Sequence, residues 1–157
     1  MGMQHPPKPL VFISYSHKDE QWIQELLIHL KPLKDRDFLD CWNDKEIDPG
    51  RQWREDIEHA LMVAKIAVLL VSPHFLASDY IHKEELPRIL DKTGYDPMRI
   101  IWIPISDSNY KYTEIVKYQA AYDPAEPLDT MPESRRNTVF RKISEQIMEA
   151  THEYSGL

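Results

Sequence analysis

Two adjacent glutamates, Glu84 and Glu85, lie in the stretch SPHFLASDYIHKEELPRIL (Ser72–Leu90), directly after the apolar run KIAVLLV. The run reads as a strand and the stretch after it as a helix. Neighbouring helical positions point about 100° apart, so both carboxylates do not face one pocket equally. On an open helix face either one is a solvated charge, paired with Lys83 or Arg88. Turned into a pocket, one of them is a carboxylate that can work on a substrate. Other residues with chemical reach are Ser14-Tyr15-Ser16-His17, Trp53 just past a Pro-Gly pair, and Tyr80 near the start of the glutamate helix.

These groups need a frame, and apolar spacing supplies it. Leu10–Ile13 reads as a buried strand, followed by Ser16-x-x-Asp19, a start resembling a capping box. Trp22, Leu26, Leu30 and Leu33 carry a first helix to about Leu33, and Phe38–Trp42 reads as a second strand. The polar loop Asn43–Gly50 closes on Pro49-Gly50, a strong turn signal. Trp53, Ile57, Ala60 and Leu61 mark a second helix. Ile66–Val71 is apolar throughout, as expected of a strand buried on both faces of a parallel sheet. A third helix begins near Ser78 and is disturbed at Pro87. Arg99–Ile105 is a fourth strand. Ser106–Ser134 forms a long, partly irregular crossover with a fifth strand near Tyr118–Tyr122. A last helix runs from Arg135 to about Thr151.

The alternation predicts a three-layer α/β domain of flavodoxin-like type, with a mostly parallel five-stranded sheet in the order 2-1-3-4-5 and helices on both faces. Residues 1–9 read as a flexible lead-in, 10–151 as the domain and 152–157 as a tail. Ligands in such folds sit beyond the carboxyl ends of the strands, where the winding reverses. Here those ends are Ser14–His17 and Ser72–Ser78.

Composition narrows the chemistry. A chain of 157 residues suits one domain. The formal charge is −7 and the basic residues are scattered, which argues against nucleic acid. The acidic balance disfavours anionic membranes, and no apolar run approaches the roughly 20 residues of a span. The N-terminus lacks a signal-peptide core. The single cysteine, Cys41, reads as a buried thiol. The seven histidines show no paired-ligand spacing, so no metal site is expected. A cytoplasmic setting fits. The four glycines form no GxGxxG, P-loop or nucleophile elbow. The third strand ends Leu70-Val71-Ser72 without the acid a phosphoacceptor needs.

Several blocks then occur in one order: Phe12-Ile13-Ser14-Tyr15, the loop ending Pro49-Gly50, Trp53-x-x-x-Ile57, VLLVSP (68–73) and Ser78-Asp79-Tyr80. Together they resemble a TIR (Toll/interleukin-1 receptor) domain over about Leu10 to Ala150. The likeness is greatest to bacterial members whose third helix reads S-D-F/Y-I-x-x-x-E-L-P. Ungapped, that pattern places the family glutamate at Glu85. The aromatic-x-x-x-E pattern of axonal and plant members, counted from Tyr80, places it at Glu84. The bacterial block is the closer match and favours Glu85, with Glu84 kept as the alternative.

The resemblance implies an NAD⁺ glycohydrolase that releases nicotinamide and ADP-ribose or a cyclic form, acting in prokaryotic antiphage defence. NAD⁺ is the substrate, and neither cofactor nor metal is required. Nicotinamide leaves from an already cationic ring, so one carboxylate against the ribose meets the main demand. Trp53 and Tyr80 are candidates for the nicotinamide end, and Ser14, Tyr15, Ser16 and His17 for further substrate contact. The loop Asp44, Lys45, Glu46, Asp48, Pro49 and Gly50 is expected at an interface between copies, because assembly completes the site in the family. A fused or partner sensor outside these residues would drive that assembly. The alternative is a non-catalytic scaffold acting through homotypic contact; a third possibility is nucleotide binding without turnover.

Overall fold

The computed structural model describes residues 8–43, 53–92 and 98–153. Five strands form one sheet in the order β2-β1-β3-β4-β5: β1 Leu10–Ser14, β2 Asp40–Trp42, β3 Ala64–Val71, β4 Arg99–Pro104 and β5 Gln119–Ala120. Every pairing is parallel. The helices are α1 Glu20–Asp35, α2 Trp53–Val63, α3 Pro73–Ala77, α4 Leu86–Lys92 and α5 Glu133–Glu153. This is the expected flavodoxin-like order.

Side chains alternate across each strand, so the sheet feeds two cores. Val11, Ile13 and Tyr15 pack with Trp22, Leu26 and Leu30 of α1 and with Phe140, Ile143 and Ile147 of α5. On the other face Phe12 packs with Ile57 and Leu61 of α2, Phe75 of α3 and Leu86 and Ile89 of α4. From Ile66 to Val71 every residue is fully buried. That is the reason the run carries no polar residue: both of its faces are covered.

Three local features differ from the expectations. The second strand is shorter than Phe38–Trp42. α1 ends with Asp37 at φ 63°, and the Phe38 and Asp37 amides donate to Leu33 O (3.0 Å) and Lys34 O (3.1 Å). This is a Schellman stop, which leaves Phe38 in the turn. The short helix α3 was not expected. Ser72 caps it by accepting from the Phe75 amide, with Pro73 in its first turn. The irregularity expected at Pro87 falls just before it, as a π turn over Ile81–Glu85 closed by Leu86 N–H to Ile81 O. Pro87 has no amide proton and its ring crowds the carbonyl four residues back, and a widened turn relieves both.

Candidate functional site

β1 and β3 deliver their carboxyl ends side by side, with Ser14 in register with Leu69. Ser14 follows Phe12 by two residues and therefore shares its face, the one covered by α2, α3 and α4. It is buried, and its Oγ finds no hydrogen-bond partner among the described residues. A buried hydroxyl without a partner is uncommon in a native fold. Tyr15 faces the other way. Only 2% of it is exposed, its ring lies in the α1/α5 core, and its hydroxyl donates to Glu20 Oε2 at 3.4 Å. Tyr15 thus packs in the supporting core, on the side of the sheet opposite Ser14. Ser16 Oγ accepts from the Lys18 amide at 3.3 Å. The His17 ring is exposed, 5.6 Å from that of Tyr15.

Beyond β3 the two glutamates part company. Ile81, Glu85 and Ile89 are spaced four apart and are all buried, Glu85 at 2% exposure. Four-residue spacing keeps them on one helical face, against the sheet. Glu84 points outward, 3.6 Å from Arg88, whose guanidinium also lies 3.7 Å from Glu58 of α2. One glutamate is thus part of a surface ion-pair cluster and the other lies beneath it. Burying a carboxylate costs several kcal/mol unless the surroundings compensate, so an acid in an apolar stripe is an informative placement. Tyr80 is half-buried against the same core. Trp53 opens α2, but its side chain and the loop Asp44–Gly50 lie outside the described residues.

Sequence reasoning missed Asp19 as more than a helix-start residue. It is buried, and its carboxylate accepts from the Ser72 hydroxyl across the β1 and β3 ends. The expected capping box does not form, because this side chain is spent on Ser72. Local pattern gives no sign of a partner 53 residues away. A separate open cleft of about 1160 Å³ lies beyond β3, β4 and β5, with Pro73, Leu76, Tyr110 and Asp123 in its walls. Among the described residues, its walls include none of those expected at the site.

Comparison with known proteins bears on this geometry. The family model for the TIR domain matches residues 11–126. An uncharacterized protein of Sinorhizobium fredii, y4lF, is 28% identical over 142 residues, which is 90% of this chain and 43% of that protein. Bovine Toll-like receptor 10 is 31% identical over 74 residues, covering 47% of this chain and 9% of the receptor. The chain thus spans less than half the length of these relatives. Among solved structures, the TIR domain of the Toll-related receptor TRR-2 from Hydra magnipapillata superposes with a TM-score of 0.61 at 18% identity, over 88% of this chain and 97% of that one. The TIR domains of the activated Roq1 resistosome give a TM-score of 0.51 at 16% identity, over 92% and 84% of the two chains. With its family model matched over most of its length and its sheet in the expected order, this chain belongs to the TIR domain family.

Proposed function

We propose that this domain is an NAD⁺ glycohydrolase whose catalytic carboxylate is Glu85. The observation that carries the reading is the burial of Glu85 in a π turn, on the helix that leads away from the carboxyl end of β3. Single π turns within α-helices are frequent at functional sites. In the reaction the bond between the ribose C1′ and the nicotinamide nitrogen breaks, and its electron pair leaves with neutral nicotinamide. Positive charge develops over C1′ and the ring oxygen, and Glu85 stabilises it while orienting the 2′-hydroxyl. Water then adds at C1′ and loses a proton to give ADP-ribose; attack by an adenine nitrogen instead gives a cyclic product. The unpartnered Ser14 hydroxyl, on the same sheet face as Glu85, is suited to a ribose or phosphate oxygen.

Self-association completes the proposal. Copies brought together by a sensor, fused or separate, would contribute the 44–50 loop to a neighbour's site, in a cytoplasmic defence response. The test is nicotinamide release from NAD⁺ by the domain, first dilute and then clustered on beads. The expected result is turnover on clustering, lost by about a hundredfold or more in Glu85→Gln and largely kept in Glu84→Gln. Loss in Glu84→Gln alone would transfer the role to Glu84. No turnover by clustered, folded wild type would leave a scaffold acting by homotypic contact.

A further inference from the structure

Glu85 works only if its helix stands in one place relative to the end of β1, and a continuous series of hydrogen bonds connects the two. It starts at Asp19, in the helical turn that follows β1. The Asp19 amide donates to Ser16 O at 2.8 Å and Ser16 Oγ takes the Lys18 amide, so this helix start is satisfied without the Asp19 side chain. The carboxylate instead accepts the Ser72 hydroxyl proton. That fixes the direction of the next link. Ser72 has one proton to give, so its oxygen lone pairs are left to accept, and they take the Phe75 amide at 3.0 Å. The Ser72 carbonyl accepts from the Leu76 amide at 3.0 Å. The Leu76 carbonyl in turn accepts from the His82 ring Nε2. A carbonyl only accepts, so Nε2 carries the proton. His82 stands in the same π turn as Glu85, three residues before it, and its own amide is held by Ser78 O at 3.1 Å.

We infer that Asp19, Ser72 and His82 are positioning residues, a hydrogen-bonded series that sets where the π turn carrying Glu85 stands against the end of β1. The inference rests on Glu85 being the catalytic carboxylate. A series of this kind has two properties that ordinary capping lacks. Its first member is charged, which strengthens the Ser72 link and polarises the next. It also spans two segments far apart in sequence, so loss of an interior member releases the turn without emptying a core. Displacement of a catalytic group by about 1 Å can cost as much as a hundredfold in rate, chiefly in kcat when the group acts in the transition state.

The test uses paired substitutions in the clustered domain. Ser72→Ala and His82→Leu are expected to lower kcat about tenfold or more, with KM changed less than about threefold. Ser72→Thr keeps the hydroxyl and His82→Gln keeps an N–H for Leu76 O, so both should restore most of the rate. With rates counted per folded molecule, a role in stability alone would leave kcat unchanged. Amide hydrogen exchange supplies the readout that does not depend on activity. Ser72→Ala and His82→Leu should speed exchange across 81–86 while leaving β4 unchanged. Unaltered exchange at 81–86, or an unaltered kcat in an active background, overturns the inference. Should clustered wild type prove inactive, the enzyme reading falls by itself, and the exchange result still decides whether the series holds the turn.

Discussion

The two faces of the sheet are built differently. On one, α1 and α5 are long helices of 16 and 21 residues whose inward side chains are almost all apolar. On the other, the chain after β3 is broken into a five-residue helix, a π turn and a seven-residue helix, with a glutamate in the buried stripe. The first face follows the rule that apolar area removed from water stabilises the fold. The second departs from it by burying the whole of Glu85 and of Ser14, whereas on the first the buried polar atoms of Glu25 and Arg136 belong to an ion pair whose side chains still reach solvent. Departures of that kind are tolerated when the site they build is used. On the function proposed above, the α1/α5 face is the support and the α2–α4 face the working side.

The strongest way to break this contrast is to damage each face once and compare. Phe140 is 1% exposed and stacks on His29 with ring centroids 5.2 Å apart. Phe140→Ala should cost about 3–5 kcal/mol by losing burial and opening a cavity. The molecules that remain folded should cleave NAD⁺ at the wild-type rate. Glu85→Gln, which keeps shape and hydrogen-bonding capacity, should do the reverse, with a much smaller loss of stability and no catalysis. Urea unfolding of both variants beside the nicotinamide assay checks the pair. A Phe140→Ala enzyme with low intrinsic activity would show that the α1/α5 face is more than a support.

A smaller effect concerns the phenol on the supporting face. Tyr122 packs against the α1/α5 core and donates its hydroxyl to Pro104 O. Burial pushes its pKa well above the ordinary range, with Asp129 adding to the rise and the backbone at Leu128 opposing it. The unfolded phenol titrates near pH 10. Above that the unfolded state gives up a proton that the native state keeps, so stability falls as pH rises. Below it both states are protonated and the group contributes no pH dependence. Tyr122→Phe should cost about 1 kcal/mol at neutral pH through the lost hydrogen bond. It should also flatten the alkaline decline relative to wild type. Thermal melts from pH 8 to 11 give both numbers, and parallel curves for the two proteins would show that the phenol does not carry the alkaline decline.

What the sequence discloses follows the same division. The strand order and the helices of the supporting face follow from apolar runs and i, i+4 spacing, signals carried by consecutive residues. Which of the two glutamates is buried is also present in outline, because Ile81, Glu85 and Ile89 form an i, i+4, i+8 stripe that excludes Glu84. The helix α3 is announced by Ser72-Pro73, a cap followed by a first-turn proline. What no local pattern carries is the Asp19–Ser72 contact, since nothing near either residue marks the other. Tyr15 is a related case: it belongs to the same block as Ser14, yet strand alternation turns it from Ser14's face into the opposite core. The pattern also leaves the side chain of Trp53 and the 44–50 loop without a structural counterpart among the described residues.

The smallest effect sharpens the contrast from the supporting side. Asp37 ends α1 in the left-handed region at φ 63°, a conformation that costs a residue with a Cβ about 1 kcal/mol relative to glycine. Its carboxylate recovers part of this through Lys8 at 2.7 Å, but both side chains are largely exposed and such pairs contribute little. Glycine is also more flexible in the unfolded chain, which offsets some of the gain. Asp37→Gly should therefore stabilise by a few tenths of a kcal/mol, up to about 1. It lies at the far end of α1 from the Asp19–Ser72 contact, so NAD⁺ turnover should not change. A rise in melting temperature with unaltered kcat would mark α1 as adjustable support. A fall in kcat would mean that the placement of α1 reaches the site through Asp19, and the two faces would then have to be treated as one device.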